Sequence, residues 1–203
     1  LKNRGLSENT LKLVDRRLRI LQKHCDLNNP EEVKKFIANQ KQWSNSYKDT
    51  FVDSYNYYVK YNGLEWDRPK YKWERKLPKI PTKEQIERII ANSSKKYATI
   101  FKILVETGVM PYELHNVKLR DIDLERGILS IRGYKGHASR TFKLKSETVA
   151  MLKWYVNTFR DKNPLFPNPR AINVAWRRYR KRASEKFQDS SILTIRLYLS
   201  LIH

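Results

Sequence analysis

Apolar residues recur every three or four positions through the first third of the chain. The first run forms one stripe, made of Leu11, Val14, Leu18, Leu21 and Cys25. Spacing of this kind places one side of an α-helix in a protein core. Pro30 opens a second helix, and a third is predicted from about residue 44 to Tyr61, where Asn62-Gly63 ends it. Residues 1–65 are therefore predicted to form a small helical bundle.

The second half of the chain combines helical spacing with short strand-like stretches. Thr82 and Gln85 have the spacing of a capping box that opens a helix, and another helix is predicted over about residues 97–107. Three strand-like pieces follow around Leu119–Ile122, Ile128–Arg132 and Arg140–Leu144. Two more helices are predicted, one capped by Ser146 and one over Ala171–Lys186. The pattern predicts a mainly α-helical protein with a small three-stranded antiparallel sheet in its second domain.

A basic, aromatic stretch joins the two parts of the chain. A continuous helix over residues 66–81 is prevented by three prolines, Pro69, Pro78 and Pro81. Trp66, Tyr71 and Trp73 alternate with lysines and arginines in this stretch. That mixture suits contact with a sugar-phosphate backbone, and it equally suits aromatic rings that pack onto the neighbouring domains. We interpret residues 66–81 as a linker between one domain at 1–65 and another at 82–203.

Composition narrows the classes of function. The chain has 42 Lys and Arg against 21 Asp and Glu, a formal net charge of +21. A globular chain this basic is typical of proteins that bind a polyanion, and nucleic acid is the leading candidate. The single cysteine, Cys25, excludes an intramolecular disulfide, and four histidines offer no recognisable metal-ligand spacing. Because we find neither a membrane-spanning run nor a signal peptide, we expect a cytoplasmic protein. From the few histidines and the single cysteine we expect that it needs no metal, and we expect no other cofactor.

Positive charge is densest on the last long helix. The cations there include Arg177, Arg178, Lys181 and Arg182. Like charges on one helix repel each other unless an anion faces them, so we expect these four side chains to contact the backbone of DNA. A merely solvated basic surface is the alternative interpretation.

Three short motifs around the predicted sheet occur together in a known family. They are Thr107-Gly108 followed by Glu113-Leu114, then Asp121-Ile122-Asp123, then Gly133-x-Lys135-Gly136. The arrangement resembles the catalytic domain of the tyrosine recombinases, the phage-integrase family, and residues 1–65 resemble the core-binding domain that precedes it. Residues 195–198 are similar to the corresponding part of archaeal integrases, which implies an archaeal or archaeal-virus integrase. The partner implied by the resemblance is double-stranded DNA, held between the two domains.

The resemblance also implies a chemistry. Members of the family cut one DNA strand with a tyrosine hydroxyl, while two arginines hold the phosphate and a general acid protonates the leaving 5′-oxygen. Lys135 matches the family's general acid, and Arg140 is placed for a phosphate contact. Met110 occupies the position of the first arginine. A thioether carries no charge and donates no hydrogen bond, and the loss of such an arginine lowers a phosphoryl-transfer rate by about 10³–10⁵.

The second arginine motif allows two registers near the C-terminal end. One register aligns Leu193 and Arg196 and keeps the arginine, whereas the other aligns Tyr198 with Leu201 and keeps a variant tyrosine. We favour the second register. The family's nucleophilic tyrosine lies a few tens of residues beyond this motif, and no tyrosine of the chain stands there. We therefore expect the chain as given not to cleave DNA.

Two other interpretations stay open. In the first, the chain is a truncated or mutated form of an active integrase. In the second, it is a general RNA-binding or scaffold protein with no preference for duplex DNA. The family acts as tetramers on paired sites, so we expect a homo-oligomer on DNA, with a monomer as the alternative for a shortened chain.

Overall fold

The computed structural model describes residues 5–72, 80–133 and 138–195. The chain divides into two compact units, Leu1–Leu77 and Pro78–His203, which are described separately. Helices predominate in both, and the second unit contains a three-stranded antiparallel sheet. This confirms the predicted fold class. Within the described ranges, no helix has the length and apolar character needed to cross a membrane.

The described residues of the first unit contain three helices: α1 (Glu8–Gln22), α2 (Pro30–Asn39) and α3 (Asn45–Asn62). Each helix begins with a polar cap, because the side chains of Ser7, Asn29 and Ser44 accept hydrogen bonds from backbone N–H groups of the first turn. The apolar stripes meet in one core, whose fully buried members include Leu21, Val33, Ile37, Phe51, Val52 and Tyr55. Cys25 is buried beside them, and burial raises the pKa of its thiol.

Two aromatic residues of the predicted linker pack against this bundle. Trp66 donates a hydrogen bond from Nε1 to Asn56 Oδ1 at 3.3 Å, and its ring meets the Tyr55 ring edge to face at 4.9 Å. Tyr71 lies 5.5 Å from the ammonium nitrogen of Lys48, and burial raises the pKa of its hydroxyl. Residues 64–72 form no helix. Two aromatic rings therefore fix residues 66–72 of the linker to the first unit.

The described part of the second unit contains the helices α4 (Lys83–Ala91), α5 (Lys95–Thr107), α6 (Pro111–His115), α7 (Ser146–Phe159) and α8 (Pro169–Phe187) and the strands β1 (Ile122–Asp123), β2 (Ile128–Ile131) and β3 (Arg140–Lys143). Short 3₁₀ segments lie at Leu119–Asp121 and Ser190–Thr194. The capping box predicted at Thr82 and Gln85 is present at the start of α4. Helix α5 lies at the centre of the core, where Ile100, Phe101, Ile103 and Leu104 are fully buried. Trp176 of α8 packs edge to face on Phe101 at 4.9 Å, which fixes α8 against α5.

The sheet has the order β1-β2-β3, with Ile122 opposite Leu129 and Ile131 opposite Arg140. The strand predicted over Leu119–Ile122 is wrong for most of its length. Leu119–Asp121 forms a 3₁₀ turn, because the Asp121 carboxylate accepts the backbone N–H of Lys118 at 2.9 Å. This local hydrogen bond competes with a strand ladder, and pairing with β2 begins only at Ile122.

The start of α7 also differs from the prediction. Ser146 is the first helical residue rather than the cap, and the residue before it, Lys145, makes no side-chain capping bond. A carboxylate from α5 bonds this helix end instead: Glu106 accepts the backbone N–H of the cap residue Lys145 at 2.5 Å and the hydroxyl of Thr148. A negative charge at this helix end is also favourable for the helix dipole. This bond therefore comes from another helix, which local sequence does not show.

Candidate nucleic-acid interface

A sharp turn joins α5 to α6 and places the candidate catalytic motif. Gly108 ends α5 in the left-handed conformation, with φ 65°, and Val109 is buried behind it. Met110 then has extended backbone angles and is the N-cap residue of α6. Its side chain is 41% exposed. The residue predicted to occupy the position of the family's first arginine is therefore on the surface, at the start of a short helix.

A buried carboxylate holds this turn together. Glu113 is 2% exposed, and its Oε2 accepts the backbone N–H of Met110 at 2.9 Å. Nη2 of Arg140 lies 2.8 Å from each carboxylate oxygen of the same glutamate. The guanidinium carbon of Arg140 lies 5.7 Å from the centre of the Phe142 ring. Because Arg140 belongs to β3, this ion pair ties the sheet to the start of α6.

The structure thus gives Arg140 a contact that the sequence did not predict. We expected its side chain to face a DNA phosphate, whereas its Nη2 atom is bonded to Glu113. The side chain is 37% exposed, so part of it stays accessible to solvent, although its Nε atom is buried. Contact between Arg140 and DNA stays a prediction.

Three predicted site residues, Lys135, Arg196 and Tyr198, lie outside the described residues. The described strands on either side of Lys135 are β2 and β3, paired in a fixed antiparallel register. Gly133 donates its backbone N–H to Ser139 Oγ at 3.4 Å. The roles proposed for Lys135, Arg196 and Tyr198 stay predictions.

The four cations predicted on the last long helix share one exposed side of α8. Residues at i, i+1, i+4 and i+5 lie on the same face of a helix, which brings together Arg177, Arg178, Lys181 and Arg182. We call this set the α8 basic stripe. One acid partly neutralises it, since Lys181 Nζ lies 3.7 Å from Glu185, and both side chains are well exposed. An exposed pair of this kind is weak, so the stripe keeps most of its positive charge.

Tyr179, on the buried side of α8, orders two members of the stripe. The guanidinium carbons of Arg178 and Arg182 lie 4.8 and 5.6 Å from the centre of its ring. The Tyr179 hydroxyl donates to Ser94 Oγ at 3.0 Å and accepts from Arg178 at 3.2 Å. Burial favours a higher pKa for Tyr179, but the contacts with Ser94 and Arg178 outweigh it and lower the pKa below its ordinary value. Cation–aromatic contacts restrain both arginines before any ligand arrives.

The sequence analysis did not predict two sets of contacts made by α8, α5 and α7. Trp176 Nε1 and Arg180 Nη1 both donate to the carbonyl oxygen of Ile195, at 3.2 and 2.5 Å. Their i, i+4 spacing on α8 was the available signal. The second set is a pair of cations on α5: Lys95 lies 4.4 Å from the Trp154 ring, and Lys96 lies 4.9 Å from the Phe159 ring. Their aromatic partners come from α7, so spacing along the chain gave no sign of them.

The chemistry available in the described part of the chain is electrostatic. No group of three or more His, Cys, Asp and Glu side chains within these ranges could hold a metal ion. The site offers permanent guanidinium charges with restrained geometry, which suit phosphate oxygens.

The chain is similar to known proteins in sequence and in fold. Residues 79–195 match the model of the phage integrase family. The tyrosine recombinase XerA of Pyrococcus furiosus is 31% identical over 129 residues, which cover 60% of this chain and 45% of that protein. The chain spans about half the length of the curated relatives that it matches.

Two solved structures share the fold. The integrase of transposon Tn1549, in complex with transposon right end DNA, has a TM-score of 0.71 and 15% identity, covering 98% of this chain and 80% of that chain. Lambda integrase bound to DNA has a TM-score of 0.71 and 12% identity, covering 96% and 85% of the two chains. At these identities the similarity is one of fold.

Proposed function

The chain belongs to the phage integrase family, the tyrosine recombinases, and from that membership we propose that it binds double-stranded DNA in site-specific recombination. The solved structures with the same fold hold DNA, which supports this proposal. The net charge of +21 supports it as well, because counterion release from DNA favours binding by a strongly basic protein.

The α8 basic stripe is the observation that carries the proposal. Its four cations are exposed on one helix face, and Tyr179 restrains two of them. Exposed cations that serve only solubility are usually mixed with acids on the same surface. Glu185 is the acid within ion-pair distance of this stripe in the described part of the chain. A row of cations with little compensation is what phosphate contacts along a duplex require.

Charge reversal of the stripe tests the proposal. We expect a variant with Arg177→Glu, Arg178→Glu, Lys181→Glu and Arg182→Glu to lose at least about 100-fold in affinity for a random duplex at moderate salt. Its log–log salt slope should be shallower by about 3 or 4, since each lost phosphate contact removes about one unit. Fluorescence anisotropy with a labelled duplex measures both quantities.

A charge-conserving variant is the matched control. Arg177→Lys, Arg178→Lys and Arg182→Lys keep every positive charge, so a mainly electrostatic contact should keep the salt slope. An unchanged affinity in the Glu variant would remove α8 from the DNA footprint.

We propose in addition that Met110 weakens strand cleavage by this chain. The side chain is exposed at the start of α6 but has no charge with which to hold a phosphate. The test fuses a C-terminal segment carrying the family's nucleophilic tyrosine to the chain, with and without Met110→Arg. Covalent protein–DNA adducts should be much more abundant in the arginine variant. Equal yields would favour a chain whose activity does not depend on this position.

Assembly of several copies on DNA is likewise part of the proposal. Mass photometry of the chain with duplex DNA would show species heavier than one protein per duplex. A single protein on each duplex at every concentration would instead favour a monomer.

A further inference from the structure

A groove of about 490 Å³ lies beside the C-terminal end of α6. One wall is the turn that follows α6, and the other is the connection between α7 and α8. Lys118 and Arg120 line the first wall, and Arg160 and Lys162 line the second. All four residues are exposed. The groove therefore has positive charge on both sides.

Within the described part of the chain, these four cations have no acidic partner. Among the residues that the structure describes, no Asp or Glu lines the groove, and none comes into ion-pair distance of any of the four cations. The acids nearest in sequence do not form ion pairs with these cations. Asp121 accepts the backbone N–H of Lys118, and Asp161 is exposed and does not line the groove. Four uncompensated cations around a concave surface repel each other, and an anion would relieve that repulsion.

Hydrogen bonds fix the frame of the groove. His115 Nδ1 lies 2.9 Å from the carbonyl oxygen of Phe166, and since a carbonyl only accepts, that nitrogen carries the proton. Tyr155, fully buried, donates to the carbonyl oxygen of Leu165 at 3.1 Å. Two successive carbonyls of the α7–α8 connection are thus held by α6 and α7. The walls are built before a ligand arrives, which reduces the entropy lost on binding.

We propose that this groove binds a phosphate group of the DNA backbone, as a contact separate from the α8 basic stripe. Cations from two sides match the charge of a phosphodiester, and the exposed side chain of Leu119 offers an apolar surface beside them. The groove lies at one end of α6 and Met110 at the other, a helix of 5 residues and so about 8 Å. The proposal rests on the proposed DNA binding.

Two double variants, one for each wall, test the groove. They are Lys118→Gln with Arg120→Gln, and Arg160→Gln with Lys162→Gln. Glutamine removes the charge without placing a carboxylate near the C-terminal end of α7. The control is Lys83→Gln with Lys153→Gln, two exposed cations of the same unit that do not line the groove. It changes the net charge by the same amount.

Affinity for a labelled random duplex is measured over salt for each protein. Each groove variant should bind about tenfold or more weakly at 0.1 M salt and lose about 1–2 units of salt slope, while the control changes less than about threefold. Groove variants that match the control overturn the proposal. If wild type binds no duplex, the proposed function fails first.

Melting temperature with inorganic pyrophosphate separates the two sources of phosphate. Stabilisation by pyrophosphate that both groove variants lose, with duplex affinity equal to the control, would assign the groove to a free phosphate compound and overturn the DNA assignment. Loss of duplex affinity in the groove variants supports the DNA assignment.

Discussion

The Glu113–Arg140 pair gives the sharpest prediction about stability, because it joins the sheet to the start of α6. Replacing Glu113 with Ala removes a carboxylate whose side chain is 1% exposed and leaves the arginine, 37% exposed, without this partner. Breaking a fully buried pair costs about 3–5 kcal/mol. Partial hydration of Arg140 lowers this figure, and loss of the bond to the Met110 N–H adds about 1 kcal/mol. We expect the free energy of unfolding to fall by about 3 kcal/mol.

Urea denaturation followed by tryptophan fluorescence measures this loss. With a slope of about 1–3 kcal/mol per molar urea, the midpoint for the second unit should fall by about 1–3 M. Glu113→Gln keeps the shape and one acceptor oxygen, so it should lose less. The double variant Glu113→Gln with Arg140→Gln should cost less than the sum of its parts, with a coupling of about 1–3 kcal/mol.

Additive effects in that cycle would refute the reasoning. So would a loss below about 1 kcal/mol for Glu113→Ala, the size expected of a surface ion pair. Arg140→Gln in the same series also shows whether a change in DNA affinity follows from lost stability or from a lost phosphate contact.

Three further predictions follow from the geometry. Glu106→Ala should destabilise the second unit by about 1–3 kcal/mol, because Lys145 N–H and Thr148 lose their acceptor; urea denaturation checks this. Gly127→Ala should cost more than Gly63→Ala, since both glycines have φ near +65° but only at Gly127 would the added Cβ lie 2.9 Å from Val149 Cγ2. Equal losses would contradict a steric cause. Burial raises the pKa of Tyr55 to about 12, so the unfolded state loses this proton first and stability falls as pH rises from about 10 towards that value. In Tyr55→Phe, denaturation midpoints should fall less steeply over that range than in wild type.

Local periodicity was sufficient for the helices but not for the contacts between them. The capping box at Thr82 and the buried positions Val14 and Leu21 of the first stripe follow from spacing within a few residues and match the structure. Cys25, predicted to end the same helical stripe, is buried but lies beyond the end of α1 at Gln22. The bond at the start of α7 could not be predicted from local spacing, because Glu106 lies 39 residues before Lys145, whose backbone N–H it accepts. For Leu119–Asp121, a side-chain bond from Asp121 replaced strand pairing.

The candidate site shows the same division. The spacing of the four cations on α8 predicted that they share one side of the helix, and they lie on one exposed face. The bond between Glu113 and Arg140 joins residues 27 positions apart, and the groove joins segments further apart still. Such contacts depend on tertiary packing, which a single sequence does not encode as a local pattern.

The central claim is that this chain prefers duplex DNA and binds it through phosphate contacts. The most direct test is its affinity for a random duplex and for single-stranded RNA, titrated over about 50–200 mM salt. We predict tighter binding to the duplex and a steep log–log slope that corresponds to several released counterions. Equal affinity for both nucleic acids, or a slope near zero, would contradict the claim and leave family membership without DNA binding.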